Sequence, residues 1–223
     1  MKQKIHSVLF DLDGTLLDTV YDLVAALNRL RNEQQLSALT ANEIRPYVSL
    51  GSRAMVSFAL HLPLDHPQLM VYRAKFLDYY DENIATHTQL FAGMHQVINH
   101  LNAQRIPWGI VTNKLTAQTK RLLNATNLLQ GNGCVVCGDT LAVCKPDPAP
   151  LLHACDLLNV LPEHCLYVGD AQTDIAAAKA AGTYSMAALY GYIDPQIDPL
   201  EWQAHHYIEQ PTQILAVLDS SLA

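Results

Sequence analysis

The sequence predicts an α/β fold in which helices cover both faces of a parallel sheet, with a helical segment inserted after the first strand. Two observations support this prediction. Short apolar runs that are typical of buried strands alternate with helical patterns over the later part of the 223-residue chain. Between residues 18 and 84, in contrast, helical patterns follow one another without a convincing strand. This length allows one large domain or a core with a smaller insert.

The early part of the chain predicts one strand followed by helices. Ser7–Phe10 is a short apolar run of the kind that forms a buried strand. Asp18 and Thr19 are plausible helix starters, and Thr40–Glu43 has the spacing of a capping box. The helical patterns lie at residues 20–30, from 44 onward, at 51–60 and at 67–80.

The later part predicts alternating strands and helices. The predicted strands are residues 107–112, 134–138, 165–169, 184–189 and a short edge strand at 206–208. The predicted helices are residues 94–104, 116–124, 148–159, 173–181 and 212–218. We therefore expect an α/β core formed by residues 1–17 and 85–223 and an α-helical cap domain formed by residues 18–84. The cap should lie above the edge of the sheet where the first strand ends.

Composition argues against several classes of protein. The formal net charge of −7 gives no basic face for nucleic acid, and no apolar run approaches the roughly 20 residues that span a bilayer. We expect a cytoplasmic protein, a monomer or homodimer, that binds neither nucleic acid nor a membrane. The five cysteines are expected to be reduced. Cys134 and Cys137 form a C-x-x-C that leaves zinc or redox chemistry as an alternative, but Val135 and Val136 between them favour a buried strand.

Four short motifs carry the chemistry of the chain. Three of them follow predicted strands, and the carboxyl ends of parallel strands are where such sheets bind ligands. Together they supply four carboxylates, a hydroxyl and an ammonium, a set that fits a divalent cation and a phosphoryl group. The motifs are DLDGT at Asp11–Thr15, VTNK at Val111–Lys114, KPDP at Lys145–Pro148 and GDAQTD at Gly169–Asp174.

The aspartates are the candidate metal ligands. Asp11 and Asp13 are separated by one residue, so on a continuing strand their side chains point the same way. Two adjacent carboxylates repel unless a cation or a shared proton relieves them, and Mg²⁺ suits oxygen ligands. A plain Asp-Gly turn is the alternative. Asp170 and Asp174 follow another strand, where a helix cap is the alternative to a metal role.

The polar residues of the second and third motifs are candidates for binding phosphate. Thr112 and Asn113 lie at a strand-to-helix junction, where a hydroxyl and backbone N–H groups can cradle phosphate or simply cap the helix. Lys145 could neutralise phosphate charge and keep Asp11 ionised. Lys114 follows Asn113 and could face the site, but we expect it at the surface.

In this order, and with a helical insert after the first, the four motifs resemble the haloacid dehalogenase-like hydrolase superfamily over essentially the whole chain. The phosphoglycolate phosphatase-like branch with an α-helical cap is the most similar. The resemblance implies a Rossmann-like core, Asp11 as a nucleophile that forms an aspartyl-phosphate, and Asp13 as general acid and then base. It implies Mg²⁺ bound by Asp11, the backbone carbonyl of Asp13 and Asp170, with support from Asp174.

The resemblance also implies that Thr112, Asn113 and Lys145 hold the phosphate of a small phosphorylated metabolite. In the cap, Arg53 could bind a substrate carboxylate, although a solvated arginine fits equally well. The segment Tyr190-Gly-Tyr-Ile resembles the branch that dephosphorylates N-acetylmuramic acid 6-phosphate. Phosphoglycolate is therefore the leading substrate. The alternatives are that sugar acid phosphate, a β-phosphoglucomutase-like isomerase and, least favoured, a non-catalytic binding protein.

Overall fold

The computed structural model describes residues 4–128 and 133–222, with side chains through residue 218. Within these residues the strands are β1 (Ser7–Phe10), β2 (Leu17–Asp18), β3 (Gln89–Leu90), β4 (Trp108–Val111), β5 (Cys134–Val136), β6 (Cys165–Gly169), β7 (Tyr184–Ala188) and β8 (His206–Ile208). The main sheet has six parallel strands in the order β5-β4-β1-β6-β7-β8. This confirms the predicted parallel α/β sheet.

Strand β1 lies at the centre of the sheet, and the chain places later strands first on one side of it and then on the other. Leu9 is in register with Gly109 of β4 on one side and with Tyr167 of β6 on the other. Such a change of direction opens a crevice at the carboxyl ends of the central strands. The residues that follow β1 therefore lie at the position where this fold can bind a ligand.

Helices cover both faces of the sheet. In the core they are α5 (Met94–Gln104), α6 (Thr116–Ala125), α7 (Ala149–Leu158), α8 (Gln172–Ala181) and α9 (Gln213–Leu222). Because side chains alternate along a strand, Val8 and Phe10 of β1 pack into the apolar cluster that includes α5 residues. Leu9 packs into the opposite cluster with residues of α7 and α8. Cys134 and Cys137 are both buried, as expected of structural cysteines.

The helices that follow β2 pack around an apolar cluster of their own. They are α1 (Val20–Glu33), α2 (Ala41–Val48), α3 (Ser52–Leu60) and α4 (Leu69–Glu82). The predicted capping box is confirmed, since the N–H of Thr40 donates to Glu43 Oε2 at 2.8 Å. These helices lie within residues 18–84, and we keep that segment as a proposed cap domain.

A two-stranded ribbon joins the helical segment to the core. Leu17 and Asp18 pair antiparallel with Leu90 and Gln89. Of the two predicted helix starters, Thr19 is confirmed as the N-cap of α1, whereas Asp18 lies in β2 and does not begin the helix. A pairing of two residues is too short to leave an alternating pattern in the sequence.

Within the part of the chain that the structure describes, every helix is too short or too polar to cross a membrane. The expected cytoplasmic location and the monomeric or homodimeric state stay predictions.

Candidate active site

The ends of three neighbouring strands bring the motifs together at one edge of the sheet. Asp11 follows β1, Thr112 follows β4, and Asp170 follows β6. Lys145 reaches the same place from the loop between β5 and α7. These side chains were predicted from separate motifs, and parallel strand pairing explains why they meet.

Lys145 is the centre of the charged cluster. Its buried ammonium lies within hydrogen-bonding distance of four oxygen atoms: Asp11 Oδ1 at 2.8 Å, Val111 O at 2.9 Å, Tyr167 OH at 2.7 Å and Asp174 Oδ1 at 2.7 Å. Burial alone lowers its pKa, but the nearby Asp11 and Asp174 carboxylates raise it more, and the net shift is upward. Lys145 therefore remains charged, and both carboxylates have a partner.

Three carboxylates form a compact acidic group. One oxygen from each of Asp11, Asp170 and Asp174 lies within 4.8 Å of the others. Burial, the largest cause, raises the pKa of Asp11 to about 7 against the opposing effect of Lys145. Burial also raises the pKa of Asp170, and repulsion from Asp11 and Asp174 adds to it. A single ammonium leaves this group short of positive charge, and hard oxygen donors at this spacing fit Mg²⁺.

The backbone closes tightly around Asp170. Its Oδ1 accepts from Thr15 Oγ1 at 3.0 Å, and its Oδ2 accepts from the N–H of Tyr192 at 2.7 Å. Gly14 has a φ of +87°, and a Cβ there would lie 2.2 Å from Asp170 Oδ2. A Cβ at Gly191 would lie 2.2 Å from the Cβ of Asp170. Only glycine permits both approaches, which fix the orientation of this carboxylate.

Asp13 lies beside the acidic group but has different partners. Its carboxylate accepts from Lys114 Nζ at 3.0 and 3.1 Å, and Thr19 Oγ1 donates to Oδ1 at 2.6 Å. The side chain is not part of the acidic group among the described residues. The part in metal binding that we expected from its backbone carbonyl stays a prediction.

Lys114 was expected at the surface, and this expectation is wrong. The side chain is 11% exposed, and its ammonium lies 4.7 Å from the centre of the Tyr80 ring, which belongs to α4. Burial alone lowers its pKa, but Asp13 and Tyr80 raise it more, and the net shift is upward. Its place in the turn between β4 and α6 was the one feature of the sequence that pointed to the site. Asp13 and Tyr80, which bury it, come from distant segments, so the spacing of residues could not identify them as its partners.

Thr112 and Asn113 serve the site in different ways. Thr112 is buried, and its Oγ1 accepts from the N–H of Lys114 at 3.1 Å, which leaves the hydroxyl hydrogen available to a ligand. The amide of Asn113 holds the backbone of Lys145: Nδ2 donates to Lys145 O at 2.9 Å, and Oδ1 accepts from Lys145 N at 3.0 Å. Asn113 thus positions the backbone of Lys145, and its predicted contact with phosphate stays a prediction.

A cavity of about 530 Å³ lies between the sheet edge and the helical segment. Its walls include apolar side chains from α1 to α4 and the charged residues Asp11, Asp13, Lys114, Lys145 and Asp174. Two arginines line it as well. Arg53, predicted to bind a substrate carboxylate, is exposed and donates to Leu64 O at 2.6 Å, whereas the half-buried Arg73 donates to Ser52 Oγ at 2.7 Å.

Comparisons with known proteins place the chain in a family. The family model described as haloacid dehalogenase-like hydrolase matches residues 8–188. A phosphoglycolate phosphatase of Xanthomonas campestris pv. campestris is 43% identical over 210 residues, 94% of each chain. An N-acetylmuramic acid 6-phosphate phosphatase of Pseudomonas putida is 36% identical over 219 residues, 98% of each chain.

A solved structure agrees with these sequence matches. It is the crystal structure of a predicted phosphoglycolate phosphatase from Haemophilus somnus, with a TM-score of 0.85 and 27% identity over 96% of this chain and 97% of that one. The resemblance inferred from the four motifs is confirmed: the chain belongs to the haloacid dehalogenase-like hydrolase family.

Proposed function

We propose that the protein is a Mg²⁺-dependent phosphatase that hydrolyses a small phosphomonoester through an aspartyl-phosphate, with phosphoglycolate as the leading substrate. The observation that carries this proposal is the position of Asp11. It follows the central strand, lies in the acidic group with Asp170 and Asp174, and is 2.8 Å from the Lys145 ammonium. The relatives at 43% and 36% identity, both phosphatases by name, support the same reaction class.

The acidic group is the proposed metal site. Asp11 and Asp170 would hold Mg²⁺, and Asp174 would support the ion. The Asp174 carboxylate also accepts hydrogen bonds from Lys145 Nζ and from the N–H of Ala171. Bound there, the ion would neutralise phosphate charge and offset the repulsion among the carboxylates. The tight backbone around Asp170 keeps its oxygens in place before the ion arrives.

Asp11 supplies the nucleophile. One of its carboxylate oxygens attacks phosphorus, an O–P bond forms, and the bond from phosphorus to the alcohol oxygen breaks. Lys145 holds Asp11 in position and offsets the negative charge of the phosphoryl group, which is the main requirement of phosphoryl transfer. The Thr112 hydroxyl can donate to a phosphoryl oxygen from the adjacent strand end.

Asp13 is the proposed general acid and base. It donates a proton to the departing alcohol, and then removes a proton from the water that attacks the aspartyl-phosphate. Breaking the Asp11–phosphorus bond releases inorganic phosphate and restores the Asp11 carboxylate. Lys114 and Thr19 hold Asp13 at the site by three hydrogen bonds.

A second substrate, N-acetylmuramic acid 6-phosphate, is favoured by the wall of the cavity. Leu23, Val48, Met55, Phe76 and Leu77 line it together with polar groups, and its volume is about 530 Å³. Phosphoglycolate fills only part of such a space, whereas an acetylated sugar acid offers an apolar face to these side chains. Both substrates carry a carboxylate that an arginine of the cavity could bind.

A substrate panel tests the proposal. Phosphate release would be measured from phosphoglycolate, N-acetylmuramic acid 6-phosphate and a hexose phosphate, in Mg²⁺ and in excess chelator, and compared by kcat/KM. We expect release that depends on Mg²⁺ and is lost in Asp11→Asn. If the protein isomerised the hexose phosphate and released little phosphate, the proposed activity would be that of a mutase rather than a phosphatase. Folded protein that turns over no phosphomonoester would contradict the proposal.

A further inference from the structure

Tyr192 belongs to two parts of the molecule. It follows β7 of the core along the chain, yet its side chain is 2% exposed and packs in the apolar cluster of α1 to α4. From the sequence, the segment Tyr190–Ile193 is expected to bear only on substrate choice. In the structure, this segment lies where the core meets the helical segment.

The Tyr192 hydroxyl holds the start of α1. It accepts from the N–H groups of Thr19 and Val20 at 2.7 and 3.0 Å, and it donates to Asp18 Oδ1 at 2.7 Å. Thr19 is the N-cap of α1, but its side chain makes no capping hydrogen bond, and its hydroxyl donates to Asp13. The phenol oxygen therefore serves the free N–H groups that a helix start leaves.

The backbone of the same residue holds a proposed metal ligand. The N–H of Tyr192 donates to Asp170 Oδ2 at 2.7 Å, and Gly191 packs directly on the Asp170 side chain. One residue thus contacts the acidic group through its amide and the first helix of the insert through its phenol. Because packed interiors deform little, a change in the position of Asp170 moves the phenol with it.

The return connection from the helices touches the same segment. Phe91, directly after β3, lies with its ring centre 5.0 Å from that of Tyr190 and 6.2 Å from that of Tyr192. The Tyr190 hydroxyl donates to Thr15 O at 3.1 Å. Both chain connections between the core and α1 to α4 are therefore in contact with these two tyrosines.

We propose that Tyr192 is a positioning residue that couples cation binding at Asp11, Asp170 and Asp174 to the order of residues 18–20 at the start of α1. The coupling rests on the metal site of the proposed function. A cation that fixes Asp170 fixes the Tyr192 amide, and the phenol then holds the start of the helix more firmly. Coupling of this kind is reciprocal, so loosening the start of α1 also weakens cation binding.

Amide hydrogen exchange at Thr19 and Val20, with and without Mg²⁺, tests this coupling. In the wild-type chain we expect Mg²⁺ to slow exchange at these amides. In Tyr192→Phe, which keeps the buried ring, we expect exchange to be roughly fivefold faster or more, since the amides lose their acceptor. The effect of Mg²⁺ on exchange should disappear, and calorimetry should show weaker Mg²⁺ binding.

Two matched variants serve as controls. Tyr21→Phe makes the same change at an exposed position of α1, and Tyr190→Phe removes only the bond to Thr15 O. Both should keep the Mg²⁺-dependent slowing. If Tyr192→Phe keeps it as well, or if wild-type protein binds Mg²⁺ without any change in exchange, the coupling is refuted while the phosphatase proposal stands. If calorimetry detects no Mg²⁺ binding to the wild type, both proposals fail together.

Discussion

The two walls of the cavity differ in how their charges are used. On the sheet side, Asp11 and Asp174 share Lys145, and Asp13 is held by Lys114. On the helical side the wall is largely apolar, and its two arginines bind groups of their own segment. The sheet side is thus organised before a ligand arrives, as electrostatic catalysis requires. The helical side offers a ligand apolar contacts, and its arginines already have internal partners that a ligand carboxylate would have to replace.

Among the changes that test this difference between the two walls, Asp11→Asn on the sheet side should reduce activity the most. We expect kcat to fall by about 10³-fold or more, because an amide cannot serve as the nucleophile. The fold should keep its stability, because the change removes one of three mutually repelling carboxylates. Steady-state kinetics and urea unfolding measure the two effects. Asp156→Asn, at an exposed position of α7, is the control. If Asp11→Asn kept more than a tenth of the wild-type activity, Asp11 could not be the nucleophile.

Lys145→Met should affect both activity and stability. The change leaves Asp11 and Asp174 without their shared ammonium, and breaking a buried ion pair in this way costs about 3–5 kcal/mol. We expect kcat to fall by roughly 10²-fold, because the variant lacks the ammonium that offsets the negative charge of the phosphoryl group. Chemical unfolding of this variant would be compared with Lys120→Met, which changes an exposed lysine of α6. Equal stability of the two variants would mean that Lys145 is not the electrostatic centre of the site.

Mg²⁺ should stabilise the protein in a pH-dependent way. At a concentration 100 times its Kd, a ligand adds about 2.7 kcal/mol, which raises Tm by about 5–10 °C in a chain of this size. Burial raises the pKa of Asp11 from 3.8 to about 7 in the metal-free fold, so protons compete with the ion below pH 7. The Asp11 contribution to metal-free stability falls as pH rises from about 4 to 7, whereas the Mg²⁺ effect grows as pH rises through 7.

Thermal unfolding at pH 6 and pH 8, with and without Mg²⁺, measures this difference. Asp170→Asn should remove most of the shift, and Asp156→Asn should retain it. A Tm shift that is equal at both pH values, or that survives in Asp170→Asn, would place the ion elsewhere.

The contrast between the walls also explains what could be predicted from the sequence. Asp11 and Asp170 were recognisable because they follow strands, and strand order alone brings strand ends together. Lys145, in the loop between β5 and α7, was recognisable only from its place among the other motifs. Lys114 was misjudged because its burial depends on Asp13 and on Tyr80, which lies in the helical segment. Sequence spacing describes one element at a time, whereas these contacts depend on how the segments pack.

The same limit applies to the ribbon and to Tyr192. The pairing of Leu17 and Asp18 with residues 89 and 90 is too short to leave a pattern. The hydroxyl of Tyr192 caps a helix that begins 172 residues earlier in the chain. Capping is usually read from the residues next to a helix, so no local pattern indicates a distant cap.

The smallest effect that we predict distinguishes the two arginines of the helical wall. Arg73 is half-buried in the cavity and bound to a hydroxyl, whereas Arg53 is exposed and bound to a backbone carbonyl. A substrate carboxylate should replace the Ser52 hydroxyl more easily than a carbonyl, because a hydroxyl can turn to new partners. We therefore expect Arg73→Met to raise KM for phosphoglycolate roughly tenfold at nearly constant kcat, the loss of one charge-assisted hydrogen bond.

Arg53→Met should change the same KM less than about threefold, as an exposed charge does. Neither variant should alter KM for a phosphomonoester without a carboxylate, and this comparison separates recognition of the carboxylate from damage to the cavity. A larger effect of Arg53→Met would restore Arg53 as the carboxylate-binding residue. It would also require the Arg53 side chain to exchange Leu64 O for the substrate carboxylate. Selection would then depend on an exposed arginine that changes its partner, rather than on a half-buried arginine already in place.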